Sequence, residues 1–408
     1  MGEAFLDFAE AWVDQVGTCV LYSGGNHDAA RCSYLAVDCA EVSRRTDSIL
    51  DVPKKGLPWF GYLSYELGGC SDPLDRIAMP LPSIPLSHFY QPKTLFRYEE
   101  GSMECLGAPT ARPASLPVFV DGPSTLLEHS DCEGTYCAKV DTIREMIRAG
   151  DVYQVNLSQS YRVRSDRHPW LVFRHLTRRN PAAFMAYINC GDHVILSSSP
   201  ERLLRKQGQY LETRPIKGTV PRGVTDDEDR QLRRQLIGSA KDRAELLMIT
   251  DLMRNDLSKV CIPGTVHCPE LFRCEGYENV YHLVSIVKGE MEEGRGPIDA
   301  LRAVFPGGSI SGCPKLAALE AIAALEQRPR GIYTGSIGYL SSDGDFDFNI
   351  AIRSMLWRDG VYELQVGGAI VIDSDPRAEW EETLHKGASM FAALGLTHEE
   401  VWGCAASC

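Results

Sequence analysis

The segment from Asp343 to Asp373 restricts the fold more than any other stretch. Phe346, Phe348, Ile350 and Ile352 alternate with Asp347, Asn349, Ala351 and Arg353. That period of two sets an apolar face on a core and a polar face towards solvent or a cleft. Asp359-Gly360 is a two-residue turn signal, so the segment reads as one long hairpin. With that turn, Arg353 comes opposite Val366 and beside Gly367-Gly368. A guanidinium beside exposed glycine N–H groups is a carboxylate-binding arrangement, although an edge arginine near a bend has the same spacing.

Helical stretches interrupt the strands without a βαβ rhythm, which favours an α+β fold over a doubly wound one. Phe5, Phe8, Ala9, Trp12 and Val16 give a helical face over residues 3–16, and Thr18–Tyr22 reads as a strand followed by a turn at Ser23–Asn26. The Pro/Ala/Gly-rich run Gly107–Pro123 is the best linker candidate. Ser130 with Glu133, Thr225 with Glu228 and Ser239 with Asp242 are capping-box starts. The first opens a helix that Gly150 ends, the third a helix to about Ser258, and a last helix runs from about Pro376 to Leu394.

The formal net charge of −13 argues against a nucleic-acid or anionic-membrane partner, both of which need a basic patch. The fourteen cysteines contain no C-x-x-C pair. Acids near Met1 do not fit a signal peptide, Leu6 does not fit a myristoylation motif, and no apolar run spans a membrane. A cytoplasmic protein with reduced, mostly buried cysteines is expected.

Within Arg214-Pro-Ile-Lys-Gly-Thr219, Pro215 stiffens the backbone, Gly218 permits close approach of a ligand and Thr219 offers a hydroxyl. Lys217 between them fits a nucleophile, an anion clamp or an ordinary turn charge. Asp242 with Glu245, and Glu379 with Glu382, are acids at i, i+3 on two helices. Facing each other they would suit Mg²⁺, and apart they are solvated helix faces. Phe305–Lys315 leads into an Ala/Leu-rich helix but is not a P-loop, since Leu316 follows Lys315. His282, in an apolar run, reads equally as a core histidine.

Ser199–Arg202, Arg214–Thr219, Asp242–Asp256, Tyr281–Ser285, Pro306–Lys315 and Ala378–Thr383 nevertheless occur in the order and spacing of one family. The chain resembles the chorismate-utilising enzymes, which include anthranilate, aminodeoxychorismate, isochorismate and salicylate synthases. The likeness is strong over about 130–395 and weaker over 18–100. It implies an α+β fold of two antiparallel sheets packed as a sandwich and flanked by helices. Residues 1–125 would form an N-terminal subregion of that fold, with a candidate tryptophan pocket at Ser23. Residues 126–396 would be the chorismate-binding catalytic region, and 397–408 a tail.

The resemblance also implies roles. Glu245 and Glu382 would ligate Mg²⁺ directly, with Asp242 and Glu379 acting through water. Gly218, Thr219, Ser311, Tyr333, Arg353, Gly367, Gly368 and Lys386 would hold substrate. Lys217 would attack C2 of chorismate, Glu201 would protonate the leaving C4 hydroxyl, and His282 would lie near the ring. Gln154 stands where isochorismate and salicylate synthases have a lysine. Lys217 and Leu246 stand where anthranilate synthases carry alanine and usually histidine. Both differences imply the aminodeoxychorismate synthase branch, with anthranilate synthesis or a non-catalytic chorismate- or tryptophan-binding role as alternatives. Ammonia would come from a separate glutamine amidotransferase subunit or from solution, since the cysteine-centred glutaminase motif is missing. Ala369, where relatives usually have a third glycine, puts a positive φ there in doubt. A nucleophilic Lys217 needs its pKa brought from ~10.4 to about 7–8, which burial could supply.

Overall fold

Alternating side chains and short polar turns build antiparallel ladders, and every strand pairing among the described residues is antiparallel. The computed structural model describes residues 2–24, 32–45, 55–70, 77–277 and 279–405. Helix α1 (Gly2–Ala9) precedes β1 (Cys19–Tyr22), β2 (Cys32–Arg45), β3 (Trp59–Leu63), β4 (Ser87–Glu99), β5 (Ser102–Gly107) and β6 (Ser124–His129). Next come α2 (Glu133–Ala149), β7 (Gln154–Ser165), α3 (Pro169–Arg179), β8 (Phe184–Asn189), β9 (Val194–Ser199), β10 (Arg202–Gln207), β11 (Tyr210–Arg214) and β12 (Ile216–Pro221). Helices α4 (Asp226–Gly238) and α5 (Ala240–Ser258) lead to β13 (His267–Gly276) and β14 (Val280–Glu290). The remainder is α6 (Pro297–Val304), β15 (Gly312–Cys313), α7 (Lys315–Glu326), β16 (Ser336–Leu340), β17 (Phe346–Asn349), β18 (Ser354–Arg358), β19 (Val361–Ile370), α8 (Pro376–Ala393) and α9 (His398–Ala405).

The mixed α+β architecture agrees with the sequence reading, but the two-sheet sandwich does not. The nineteen strands among the described residues belong to one continuous hydrogen-bonded network. The edges that would separate two sheets are stitched together. β10 pairs with both β11 and β17, and β16 joins β17 to β3. β1 likewise bridges β2 and β8, tying the N-terminal strands into the same network.

The single long hairpin is two ladders. Asp359-Gly360 does close β18 onto β19, with Met355 opposite Leu364 and Arg358 opposite Val361. Phe346–Asn349, however, pairs with β10 and β16. The ladder breaks at Asn349, whose side chain accepts from Ile337 N–H at 2.8 Å and donates to the Phe184 carbonyl at 3.1 Å.

Other boundaries shift for local reasons. The first helix stops at Ala9 and a single 3₁₀ turn, Glu10–Trp12, follows, so the expected helix to Val16 is not formed. Thr18 Oγ1 donates to the Trp12 carbonyl at 2.7 Å and closes that turn. The turn proposed at Ser23–Asn26 lies partly outside the described residues. Cys132, and not Ser130, is the N-cap of α2. Ser130 is committed to β7 instead, accepting at Oγ from Ser160 N–H at 2.9 Å. Gly150 ends α2 at φ +84° as its sequence position suggests, and Thr225 and Ser239 cap α4 and α5. Residues 398–405, expected as part of a tail, form α9, whose Val401 and Ala405 join the main core. The expectation of uniformly reduced cysteines fails at Cys132, which is disulfide-bonded. No described helix is long and apolar enough to cross a membrane.

One core cluster gathers Trp12, Tyr161, Trp170 and Trp380, and a second gathers Trp59, Phe89, Ile249 and Phe348. A buried ion pair sits in the interior. Arg330 donates from Nε and Nη2 to Glu326 at 2.9 and 2.7 Å, and to the carbonyls of Asn156 and Ile310 at 2.7 and 3.1 Å. Glu326 in turn accepts from Ser158 N–H of β7 at 2.8 Å. Replacing Glu326 by alanine leaves the guanidinium buried without its counter-ion. Glu326→Ala is expected to destabilise the protein by about 3–5 kcal/mol, read by urea denaturation. A change below about 1 kcal/mol would show that the pair does not support the fold.

Candidate active site

β12 runs antiparallel to β14 with a break in register: Lys217 faces Leu283, while Thr219 already faces His282. The extra residue is Gly218, at φ +75°. A β-bulge of this kind re-aims neighbouring side chains. A Cβ at Gly218 would lie 2.8 Å from Asp242 Cγ, so only glycine lets the first turn of α5 approach this closely. Ser239 starts that turn by accepting from Asp242 N–H at 3.2 Å. The bulge thereby sets Asp242 and Glu245 beside the strand that carries Lys217.

Helix α8 brings the second acid pair. Asp375 caps it, accepting from Ala378 N–H at 2.9 Å. Its spacing places Glu379, Glu382 and Lys386 along one side. All four carboxylates line one cavity of about 500 Å³, together with Lys217, Glu201, Thr219, His282, Tyr333, Arg353 and Lys386. The two i, i+3 pairs are therefore not solvated faces on separate parts of the surface.

The titrating groups in this cavity shift in a consistent way. Burial lowers the Lys217 pKa, opposed chiefly by Glu245 and assisted by Lys386. That is the direction a nucleophilic amine requires. Burial pushes the Glu201 carboxyl up to about 7, although Ser309 and Lys217 both pull it down. Glu201 is 5% exposed, and its Oε1 has no hydrogen-bond partner among the described residues. Glu245 is raised by burial and further by Asp242 and Glu382. Glu379 is raised by burial even though Ser374 donates to it at 2.6 Å. Burial would raise Glu382 too, but Lys386 Nζ, 2.7 Å away, more than offsets it. Four carboxylates gathered on one cavity wall are an all-oxygen donor set for a hard divalent cation.

Strand β19 forms another wall. A Cβ on Gly367 would lie 2.5 Å from the Leu157 carbonyl oxygen and 2.8 Å from the Tyr333 hydroxyl. Tyr333 therefore sits directly over a bare backbone, and Lys386 Nζ donates to the Gly367 carbonyl at 3.1 Å. Gly368 does not line the cavity; Glu379 and Lys386 cover it. Ala369 does line it, inside the regular ladder opposite Asn156 and with no positive φ. Arg353 reaches the cavity from outside the ladder, at φ +51°, with Nη1 3.3 Å from Asn180 Oδ1.

Two further expectations change. Ser311 does not line the cavity: its hydroxyl donates to the Gly307 carbonyl at 2.9 Å. Ser309 and Ile310, from the preceding 3₁₀ turn, line it instead. Gln154 lies buried off the wall, with its backbone paired to Cys313 and both amide atoms lacking partners among the described residues. Ser23 does not line this cavity. Its N–H donates to Ser33 Oγ at 3.1 Å, while Leu21 and Tyr22 beside it line a different cavity of about 480 Å³.

The family model for chorismate binding enzymes matches residues 10–392. The chain is a chorismate-binding enzyme family member. Anthranilate synthase component 1 of Streptomyces coelicolor is 37% identical over 381 residues, 84% of this chain and 74% of its own length. Aminodeoxychorismate synthase component 1 of Bacillus subtilis is 43% identical over 268 residues, 66% of this chain. The chain spans 57% of that relative's length. Among solved structures, anthranilate synthase component I from Streptococcus pneumoniae superposes with a TM-score of 0.77 at 26% identity, covering 90% of this chain and 93% of that one. The menaquinone-specific isochorismate synthase MenF from Escherichia coli shares the fold, with a TM-score of 0.77 at 19% identity, over 95% of this chain and 91% of its own.

Within this family member, sequence reasoning missed Lys241, Asn156, Ser309 and Gln365, all on the cavity wall. Asn156 and Gln365 carry the alternation of β7 and β19, which could have marked them. Lys241 directly precedes the first acid of α5 and sits among carboxylates, pulling down the pKa of Glu245, Glu379 and Glu382.

Glu201 gives a prediction whose sign follows from its shift. Its folded pKa lies above the unfolded value, so the folded state holds the proton longer and wild-type stability falls from about pH 4.5 to about pH 7. Glu201→Gln removes that loss. Near pH 8 the variant should be up to about 3 kcal/mol more stable than wild type, with the two converging near pH 4. Urea denaturation at both pH values reads the difference, and parallel curves would show an ordinary carboxyl.

Proposed function

We propose that the chain is an aminodeoxychorismate synthase component I, adding ammonia at C4 of chorismate through a covalent lysine intermediate. One observation carries this reading: an amine with lowered pKa, Lys217, and a carboxyl titrating near neutrality, Glu201, share one cavity with four carboxylates. Opposed pKa shifts of this kind suit a nucleophile and a general acid acting together.

In the proposed sequence, neutral Lys217 forms a bond from Nζ to C2 of the ring. Both ring double bonds shift, to C1=C6 and C4=C5, and the C4 oxygen leaves as water, taking its proton from Glu201. The alkylated amine sheds a proton to solvent or to Glu201. Ammonia then bonds at C4 as both ring double bonds shift back, the C2–Nζ bond breaks and the departing amine takes its proton back from Glu201 or solvent. This returns neutral Lys217, gives 4-amino-4-deoxychorismate with its C4 nitrogen as ammonium, and leaves Glu201 to regain a proton from solvent. Arg353, Tyr333 and Lys386 orient the substrate carboxylates, and Gly367 gives them a close backbone surface. Thr219 Oγ1, 2.8 Å from His282 Nδ1, fixes that ring beside the substrate.

Glu245 and Glu382 would hold Mg²⁺ directly, and Asp242 and Glu379 through water. When bound, the ion would supply counter-charge for a substrate carboxylate. Neutralising Glu245 also removes the main influence that keeps Lys217 protonated. The component 1 names of the relatives support a separate amidotransferase subunit as the ammonia source.

The second reading is 2-amination to anthranilate, supported by the Streptomyces coelicolor relative. Lys217 and Leu246 weigh against it. Product analysis separates the two: chorismate, Mg²⁺ and ammonium should yield a compound that a lyase converts to p-aminobenzoate. Fluorescent anthranilate would overturn the proposal. Lys217→Ala is expected to lower 4-amination by at least about a hundredfold, the scale of losing a positioned catalytic group. Full retention would remove lysine from the covalent step.

A further inference from the structure

Away from the substrate cavity, β4 and the turn between β8 and β9 bury a second set of ligating groups. His88, Cys190 and His193 are 2%, 5% and 0% exposed, and one ligand atom from each lies within 4.8 Å of the others. Tyr62 pairs with His88 across the β3–β4 ladder, and its hydroxyl is 3.0 Å from His193 Nε2. Asp192 holds the other nitrogen of that ring, with Oδ1 2.7 Å from Nδ1. This contact assigns the proton to Nδ1, so Nε2 accepts from the Tyr62 hydroxyl, and a metal would take that electron pair by displacing the hydrogen bond.

His88 Nδ1 is buried with no hydrogen-bond partner among the described residues. A polar cluster whose members merely satisfied one another would not leave this nitrogen bare. We propose that His88, Cys190 and His193 form a structural zinc(II) site, separate from the substrate cavity, with the Tyr62 hydroxyl or one water as fourth ligand.

The donor chemistry selects the metal. Two imidazole nitrogens and a sulfur in a dry setting suit Zn²⁺ and not Mg²⁺, which takes oxygen ligands. Tetrahedral bonds of about 2.0–2.3 Å require the three donors to close by about 1 Å from their widest allowed separation. The Cys190 thiol is pushed up by burial and stays protonated without a cation. On binding, the S–H bond breaks, a sulfur–zinc bond forms and the proton leaves to solvent. Zinc(II), one thiolate and two neutral rings leave a single positive charge. Asp192, which contacts the His193 ring and also pairs with Arg44 at 2.8 Å, is the carboxylate that meets this charge. Such a site would tie β4 to the β8–β9 turn.

The test uses chelator-treated full-length protein titrated with Co²⁺ alone. In wild type a thiolate-to-cobalt charge-transfer band and tetrahedral d–d bands are expected to saturate at one equivalent, with Zn²⁺ displacing them and excess Mg²⁺ not, whatever further Co²⁺ the carboxylate cavity takes up. Cys190→Ser should lose the charge-transfer band, and His88→Gln should weaken uptake at least tenfold. Glu245→Gln should retain the band, because the substrate cavity offers carboxylates and no thiolate. Absence of the band in wild type overturns the proposal without reference to any variant. Persistence of the band in Cys190→Ser, or its loss in Glu245→Gln, overturns it as well.

Discussion

The Arg330–Glu326 pair is the constraint on which the arrangement behind the cavity depends. It draws together α7, the inner strand β7 and the 3₁₀ turn that carries Ser309 and Ile310. The backbone on either side of Arg330 is also held from the N-terminal region. Glu66 accepts from Arg330 N–H at 2.6 Å and from Gly331 N–H at 3.1 Å, and Tyr65 lies under the guanidinium. Residues far apart in sequence are thereby fixed against one charge pair. Tyr333, three residues beyond Arg330, inherits its position over Gly367 from that anchoring.

Around this support the cavity combines groups that would repel or neutralise one another in water. Five carboxylates, three lysines and one arginine occupy its wall. Burial separates their titration behaviour: Lys217 moves down, Glu201 and Glu245 move up, and Glu382 stays ionised beside Lys386. One compartment thus offers a proton donor, a deprotonatable amine and an anionic cradle. Each depends on restricted contact with solvent more than on any single partner.

Much of this was legible in the sequence where the controlling interaction is local. The caps at Thr225 and Ser239, the Gly150 stop and the Asp359-Gly360 register depend on residues a few positions apart, and they appear as read. The i, i+3 acids could be placed on helix faces, but their convergence could not, since it depends on how α5 and α8 sit across the sheet. The break at Asn349 was hidden because its side chain bonds to Phe184 and Ile337 on other strands. Ser309 and Ser311 carry the same hydroxyl, and only the 3₁₀ turn decides which faces the cavity. His88 and Cys190 gave no spacing signal because the fold itself brings them together. The stitched sheet edges, equally, leave no mark on any one strand.

The bulge at Gly218 joins the strand of the amine to the helix of the acids with no space between them. A Cβ there would run into Asp242 and Leu236. Any side chain added at 218 would therefore have to push an acid of the cavity aside, so the one missing methyl keeps the carboxyl and the amine in the same compartment.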